Sequence, residues 1–403
     1  MQITSFTQRP PRNDLLAIVL WSLLLAPGLQ AAHLLAADEP PTQQQITELV
    51  KQLGNDSYRI REQAQQKLLE IGLLARKALV SGLKNPDLEI RLRARRLLAQ
   101  VVEEEFEGRL AAFIADVNGT KDHDLPGWKR YRDSVGNTRM ARSLFVAMIR
   151  EEMALLQAFE TGTQLEKTFS DRVRALQPYS SINSNGPRVA SSSSLATMLF
   201  LSGQPELTLD QITHQQIFSL LRYTGTQNVV KGSPYSGLLF DMLGGWIQKL
   251  DKEQPTAYYP LMIALNYDMK DVGFEIAKKR LGNTTTSSSA QQYAIMAIAR
   301  FGTARDIDLL VPQLQNSAVC HTWSNPQIKK GVIKTQVRDV ALVMMLEMTK
   351  QNHQQYGFTL LQRNPTTVFH GYTCGFVDES QRDKALQMWN TWYSKHLEQR
   401  KSP

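Results

Sequence analysis

Apolar residues recur at helical spacing just after the N-terminal region of the chain. In the stretch SYRIREQAQQKLLEIG, which begins at residue 57, Ile60, Ala64, Leu68 and Ile71 share one helix face, and polar residues cover the other. Gly72 follows the last apolar position, and glycine ends many helices because it accepts the left-handed conformation. The pattern therefore predicts an amphipathic α-helix that packs one face against a neighbour.

The same pattern returns 30 residues later, so this segment contains an internal repeat. Ser57 and Asp87 precede the two helical stretches, at positions where a side-chain oxygen can cap the first turn. A repeat of this length with paired helical segments is typical of a helical solenoid. The identical pairs are Leu53 and Leu83, Asn55 and Asn85, Ile60 and Ile90, Arg61 and Arg91, Ala64 and Ala94, and Leu68 and Leu98.

One triad of the repeat occurs a third time near the C terminus. It consists of a β-branched residue, an Arg directly after it, and an Ala three positions after the Arg. The small Ala lets paired helices approach closely, and a recurring Arg is expected to support stacking rather than catalysis. The three copies are Ile60, Arg61 and Ala64; Ile90, Arg91 and Ala94; and Val337, Arg338 and Ala341.

Residues 83–94 follow the pattern Leu-x-Asp-x-Asp-x-x-Val-Arg-x-x-Ala, with Asn85 at the first Asp and Ile90 at the Val. The segment resembles HEAT repeats, including the short phycobilisome-lyase-like variety. In that family the first Asp pairs with the Arg of a neighbouring repeat, and Asn55 and Asn85 depart from this feature. The repeat pair, the VRDVAL…QYGF junction and the closing ALQMWNTWY helix together resemble exported HEAT-domain proteins that are abundant in planctomycete bacteria.

The resemblance covers residues 42–101 and 290–396. It implies an all-α fold, a HEAT-type helical solenoid of stacked antiparallel helix pairs. Two β-prone stretches add a small β-hairpin insertion near 316–336. A final helix with Ser380 as its N-cap is expected to close the chain.

Changes in composition divide the chain into five predicted segments. These are a signal peptide (1–37), a flexible leader (38–45), an N-terminal HEAT-repeat pair (46–116), a helical middle region with a Ser-rich linker at 178–194 (117–285), and C-terminal HEAT-like helices with the hairpin insert and the closing helix (286–403). Within the middle region, residues 117–137 are dense in Gly, Pro and Asp and are predicted to form a loop.

The N-terminus has the layout of a secretory signal peptide. Arg9 and Arg12 precede an apolar run from Leu15 to Ala26, and Pro27 then breaks the helix. The run has 12 residues, whereas a membrane-spanning helix needs roughly 20. We therefore expect export to the periplasm or the outside of the cell, with an uncleaved membrane anchor as the alternative. Cleavage is expected after Ala31, Ala32 or Ala37.

The net charge of +8 is partly local, because Lys51 to Gln100 contains eleven basic and five acidic residues. Such an excess is typical of solvated helix faces, and it also suits an anionic polymer or nucleic acid. Export argues against nucleic acid as the partner. The predicted partner is a protein of unknown identity, with membrane contact only if the N-terminal segment stays uncleaved.

Few residues carry a recognisable chemical motif. Phosphate-binding loops, zinc-protease motifs and nucleophile elbows are absent, so the sequence predicts no catalytic residue, no cofactor, no metal ligand and no small-molecule substrate. Cys320 and Cys374 are a possible disulfide in an exported chain, with two unpaired thiols as the alternative. A third possibility is a zinc site formed with His321 and His370.

A second group, Asp122, His123 and Asp124, contains metal-binding or acid/base side chains, but beside Pro126 it is typical of an exposed turn. The expected function is that of a non-catalytic protein-binding or structural scaffold outside the cytoplasm. The alternatives are an enzyme or enzyme accessory factor with a site in 117–285, and a binder of anionic polymer through the basic repeat face.

Overall fold

The computed structural model describes residues 40–178, 189–283, 286–324 and 332–401. Helices make up most of this part of the chain, which confirms the predicted all-α class. The chain divides into two compact units, with the boundary between Glu105 and Phe106. Among the described residues, no helix combines the length and the apolar character needed to cross a bilayer. The predicted signal peptide lies outside the described residues.

Four helices are described in the first unit, and their apolar faces form the core of its described part. Thr42 caps the first helix together with Gln45, so helix already begins at Gln43, inside the predicted leader 38–45. The helix predicted from the first apolar stripe ends at Gly72, which has φ +62°. The elements are α1 (Gln43–Gln52), α2 (Tyr58–Ile71), a 3₁₀ turn (Gly72–Ala75), α3 (Arg76–Gly82) and α4 (Leu88–Ala115), which continues into the second unit.

The two copies of the repeat make the same loop-to-helix joint. Arg61 donates from Nη1 to the carbonyl oxygens of Asn55 and Asp56, at 2.7 and 3.0 Å. Arg91 donates in the same way to the carbonyl oxygens of Asn85 and Pro86, both at 2.7 Å. The arginine binds main-chain oxygens, so the joint does not depend on a carboxylate at the Asn positions.

The small residues of the repeat lie where helices approach closely. Ala64 and Ala94 are both buried in the first core. A Cβ on Gly82 would lie 3.0 Å from the Cβ of Ala94 and 3.1 Å from Val50, so α3 and α4 are already in tight contact. A larger side chain at position 94 would push these helices apart.

Twelve further helices are described in the second unit. One long apolar run, Val340 to Leu346, is buried on every side because neighbouring helices pack around it. The helices are α5 (Trp128–Val135), α6 (Arg139–Thr161), α7 (Leu165–Ala175), α8 (Ser192–Ser202), α9 (Gln211–Arg222), α10 (Thr224–Gly232), α11 (Ser236–Glu253), α12 (Tyr259–Asn266), α13 (Lys270–Leu281), α14 (Ser288–Phe301), α15 (Val337–Met348) and α16 (Glu379–Lys401).

Two segments of the middle region differ from the prediction. Helix α5 lies inside the predicted loop 117–137, since Trp128 and Tyr131 bury their rings in the core. The predicted linker 178–194 lies mostly outside the described residues, but its last serines form the first turn of α8. There the hydroxyls of Ser193 and Ser194 donate to Glu151, so these serines form part of the packed structure.

The predicted hairpin is confirmed, although residues 325–331 lie outside the described part of the chain. Strands β1 (Val319–Ser324) and β2 (Val332–Gln336) pair antiparallel, with a register shift between Val319 and His321. A second, smaller pair joins β3 (Arg363–Asn364) to β4 (Val368–Phe369). Both pairs lie on the C-terminal half of the second unit.

The closing helix is anchored by a buried ion pair. Arg382 on α16 donates from Nε to Oδ1 of Asp339 on α15 at 2.7 Å, and both side chains are almost fully buried. The N-cap prediction was wrong: Asp378, not Ser380, accepts from the amide of Gln381 at 2.9 Å. A carboxylate caps the turn here because it lies three residues before that amide.

The third copy of the triad has different surroundings. Val337 and Ala341 are fully buried on α15, as their counterparts in the repeat would suggest. Arg338 instead donates to the side chains of Gln336 and Glu379, at 2.6 and 3.0 Å. This arginine therefore binds the start of the closing helix and not the carbonyls of the preceding loop.

Candidate ligand-binding site

A polar cavity of about 390 Å³ lies in the second unit. It is bounded by the end of α9, the start of α10, α12, α14, β1 and the segment 364–372, called the loop 364–372 here although it contains the two-residue strand β4. Its volume falls within the range of roughly 300–1,000 Å³ that is common for small-molecule sites. The lining residues are Arg222, Gln227, Met262, Asn266, Gln292, Tyr293, Met296, His321, Asn364, Thr366, Thr367, His370, Gly371 and Tyr372.

Gln292 places an unpartnered amide in the cavity wall. Its side chain is only 3% exposed, and its Oε1 has no hydrogen-bond partner. Its Nε2 reaches only the sulfur of Met296, at 4.0 Å, and a thioether is a weak acceptor. By contrast, the neighbouring Gln291 accepts a hydrogen bond from Nδ2 of Asn316 at 2.8 Å. Of two adjacent buried glutamines, one is therefore satisfied by the fold, and the other belongs to the cavity lining and lacks such a partner.

His321 adds a second unpartnered group beside this amide. Its Nε2 is buried and has no hydrogen-bond partner in the described chain. Burial lowers the pKa of His321, so the ring is neutral near pH 7. The backbone of Gly371 lies against both groups: a Cβ there would overlap the Gln292 amide and would lie 3.1 Å from the His321 Nε2. Glycine at this position is what lets the loop close the cavity.

The loop 364–372 is held in a defined shape. Oδ1 of Asn364 accepts from the amides of Thr366 and Thr367, at 2.8 and 2.9 Å, and its Nδ2 lies 3.3 Å from Nδ1 of His370. Val368 has φ +68°, a conformation that a β-branched residue adopts only under strain. Such strain is of order 1–3 kcal/mol and is often found at ligand sites.

Arg222 supplies the positive charge of the cavity lining. Its side chain is exposed, it lies over the Phe218 ring at 5.4 Å, and no carboxylate belongs to the described residues that line the cavity. Burial raises the pKa of Tyr293 and of Tyr258, which stack at 5.3 Å, and the Arg222 charge opposes this rise. The guanidinium therefore lies near these two rings.

The sequence predicted a cluster of two cysteines and two histidines, and the structure places only the histidines in the cavity lining. His321 and His370 both line the cavity, whereas Cys320 and Cys374 lie behind it. Both thiols are free, and burial raises the pKa of Cys320 to about 12 and that of Cys374 further. The disulfide between them stays a prediction. The described residues contain no group of three or more His, Cys, Asp or Glu that could hold a metal ion.

The Asp122, His123 and Asp124 group does not converge on a common point. Asp122 pairs with Arg132 at 3.0 Å, and Asp124 pairs with Arg109 at 3.4 Å. His123 lies with its Nε2 3.0 Å from a carboxylate oxygen of Asp116. The backbone amide of Lys121, followed by His123, lowers the pKa of Asp116. Each side chain of the group thus has its own structural partner.

Little in the sequence pointed to the cavity. Its residues extend from position 222 to position 372, and no motif links them. One local signal existed: in the helix SSAQQYAIMAIARF, the two glutamines Gln291 and Gln292 are buried on a helix whose other buried positions are apolar. A polar residue on such a face needs either a partner in the fold or a ligand.

Comparisons of the chain with protein-family models, with curated proteins and with solved structures give no significant match. The chemistry of the cavity is therefore the main guide to function. Its walls offer hydrogen-bond donors, hydrogen-bond acceptors and one cationic group, which together suit the recognition of a small polar molecule.

Proposed function

We propose that this chain is an exported, non-catalytic binding protein that holds a small polar molecule in the cavity of its second unit. The observation that carries the proposal is the buried and unpartnered amide of Gln292. A buried polar group without a partner destabilises a fold by about 1–3 kcal/mol. A bound molecule that supplies the missing hydrogen bond would account for its presence.

Two features favour binding over catalysis. His321 and His370 have no carboxylate within hydrogen-bond reach in the described chain, and a catalytic imidazole is usually oriented by such a group. The buried thiols stay protonated near pH 7 because their pKa values are raised, which makes them poor nucleophiles. An enzyme with its site in this cavity is the alternative.

The repeat architecture and the export route belong to the same proposal. The matching contacts of Arg61 and Arg91 support stacked HEAT-type helix pairs, because each copy uses the same joint. The charged start and short apolar run of the N-terminal segment 1–37 support a cleaved signal peptide. In this proposal the mature protein meets its ligand outside the cytoplasm.

The neighbouring glutamines provide a test with an internal control. We expect Gln292→Leu to abolish ligand binding without lowering the stability of the free protein, because the unpartnered amide is removed. We expect Gln291→Leu to keep binding but to lose about 1–3 kcal/mol, since Asn316 is left without its partner. The measurement is a thermal-shift screen of small polar molecules against the wild type and both variants.

The pattern of hits decides between the outcomes. A molecule that raises the melting temperature of the wild type and of Gln291→Leu, but not that of Gln292→Leu, supports the site. Hits that stabilise all three proteins equally would place binding elsewhere. A screen without hits, combined with a less stable Gln292→Leu protein, would assign Gln292 a structural role and contradict the proposal.

Protein binding by the first unit is a second candidate function. Leu73 and Leu74 are 46% and 53% exposed, and Leu74 borders a groove of about 710 Å³ together with Leu49 and Ile71. Exposed apolar side chains beside a groove are typical of interaction surfaces. In-cell cross-linking tests this function: Leu74→Ser should lose any partner that the wild type captures, and Leu92→Ser, an exposed leucine outside the groove, should retain it.

The basic face of the repeats supports a third candidate, an anionic polymer. Part of the local positive charge is already used within the fold, since Arg93 pairs with Glu62 and Glu89 at 2.7 and 2.6 Å. Arg59, Arg95 and other basic residues remain exposed. Retention on heparin that falls with Arg95→Gln would favour this function over the other two.

A further inference from the structure

The hydrogen-bonding groups of the cavity suit a ligand rich in hydroxyl groups. The described lining contains the side-chain amides of Gln227, Asn266, Gln292 and Asn364, and the hydroxyls of Thr366, Thr367 and two tyrosines. Amides and hydroxyls can each donate and accept hydrogen bonds. A ligand hydroxyl has the same dual character, whereas a ligand with acceptors alone would leave Oε1 of Gln292 unpaired.

The charge of the lining adds a second requirement. Arg222 carries a permanent positive charge, and the described lining contains no Asp or Glu to neutralise it and no Lys to add to it. A guanidinium binds a carboxylate through two parallel hydrogen bonds. The aromatic ring of Phe218, 5.4 Å away, supports Arg222 without occupying its donors. The ligand is therefore expected to carry a negative group at the mouth of the cavity.

One positive charge matches a carboxylate better than a phosphate. A phosphate monoester carries about −1.5 to −2 charges near pH 7, and one arginine would leave part of this charge unpaired. Both cavity histidines lack an acidic partner, and burial lowers the pKa of His321, so this ring adds no second cation near neutral pH. A single carboxylate needs no further cation.

We infer that the ligand is a sugar acid, a small hydroxyl-rich molecule whose carboxylate binds Arg222 and whose hydroxyl groups bind the amides around Gln292. This inference rests on the proposed small-molecule function of the cavity. The volume of about 390 Å³ accommodates a ligand of monosaccharide to disaccharide size. The side chains of Tyr372 and Tyr293 provide aromatic surface for the C–H groups of a sugar ring.

Three sugars of similar size and different charge test the inference: glucuronate, glucose and glucosamine. Binding to the full chain is measured by ligand-observed NMR titration, which detects millimolar affinities. We expect glucuronate to bind about 10- to 100-fold more tightly than glucose, as a charge-assisted hydrogen bond implies, and glucosamine to bind most weakly. Arg222→Gln should remove the preference for glucuronate over glucose.

A control and a competing ligand sharpen the experiment. Arg59→Gln removes an exposed arginine from the first unit and should leave the whole series unchanged. Glucose 6-phosphate tests the choice between anions and should bind more weakly than glucuronate. The inference is overturned if glucose or glucosamine binds as tightly as glucuronate, if the phosphate is preferred, or if Arg222→Gln retains the preference.

The remaining outcomes separate this inference from the function on which it rests. If none of these sugars binds while other polar molecules stabilise the wild type but not Gln292→Leu, the sugar-acid inference fails and the binding function stands. If no polar molecule distinguishes the wild type from Gln292→Leu, both fail.

Discussion

Arg61 and Arg91 show how single side chains hold the repeated joints. Each guanidinium binds two carbonyl oxygens in the loop before its own helix, and no acidic side chain is needed. The recurrence of these arginines could be predicted from the sequence, because the repeat aligns them. Their acceptors could not be predicted, since main-chain oxygens carry no residue identity and Asn85 suggested a loss of the contact.

The loop-to-helix joint at Arg91 predicts that two arginines of α4 differ in their effect on stability. Arg91→Met retains the aliphatic stem but leaves two carbonyl groups without their donor, and should destabilise the first unit by about 1–3 kcal/mol. Arg95→Met, at an exposed position of α4, should have little effect. Hydrogen exchange of the amides at the start of α4 measures the loss of protection in both variants. Equal protection in the two variants would exclude a structural role for Arg91.

The buried pair of Arg382 and Asp339 carries a second prediction at this scale. Arg382→Met leaves a buried carboxylate without its cation and should destabilise the second unit by about 3–5 kcal/mol. Burial already raises the pKa of Asp339 against the effect of Arg382. Without the arginine this pKa should rise further, so the loss of stability should lessen as the pH falls.

Urea unfolding at pH 7 and pH 5 checks this prediction. The double variant Arg382→Met and Asp339→Leu serves as control, because it removes both charges and should recover much of the stability. A single variant that is as stable as the wild type, or a loss that grows toward low pH, would contradict a charged Asp339.

At the level of elements, apolar periodicity predicted helices correctly. The prediction failed where clusters of polar side chains hold an element in place. Periodicity predicted α2 and its end at Gly72 because the stripe is regular. The serines at the start of α8 were predicted to form a linker, because serine is common in loops. The hydrogen-bond partners of these serines, Glu151 and Glu152, lie about 40 residues earlier in the chain. The kink of α6 at Glu152, with φ −123° and ψ 32°, was equally hidden from any local pattern.

The polar cluster at the start of α8 predicts how a serine of this helix contributes to stability. The Oγ of Ser194 lies 2.5 Å from a carboxylate oxygen of Glu152 and 3.0 Å from one of Glu151, and Glu152 also binds Arg172. Ser194→Ala should destabilise the second unit by about 1–3 kcal/mol and speed amide exchange in the first turn of α8. Ser192→Ala is the control, because its side chain is only half-buried. Similar exchange in both variants would argue against the cluster as the anchor of α8.

At the scale of the whole molecule, the predicted helical class was confirmed, but the candidate site could not be foreseen. Arg222, Gln292, His321 and Gly371 meet only after long-range packing of α9, α14, β1 and the loop 364–372. No spacing rule links residues whose proximity is set by tertiary structure. The cysteine and histidine pattern lies beside the cavity, because His321 and His370 line it, but it predicted zinc or a disulfide and not a small-molecule site.

One buried and two half-buried histidines predict how stability depends on pH. Burial lowers the pKa values of His214, His321 and His353. The unfolded chain therefore takes up protons near pH 6.5, before the folded protein does, so the stability of the second unit should fall between pH 7 and pH 5. Urea midpoints at pH 7, 6 and 5 measure this change. His214→Gln should reduce the slope, and a midpoint that is constant over this range would contradict neutral buried imidazoles.

The central claim, that the cavity of the second unit binds a small polar molecule, is most directly tested by methyl NMR of the methionines. Met262 and Met296 line the cavity, whereas Met198 and Met344 are buried elsewhere in the same unit. A titration with sugar acids and other polar molecules should shift the methyl signals of Met262 and Met296 and leave those of Met198 and Met344 in place. Unchanged signals at both cavity methionines, or ligand-induced shifts confined to methionines outside the cavity, would contradict the claim.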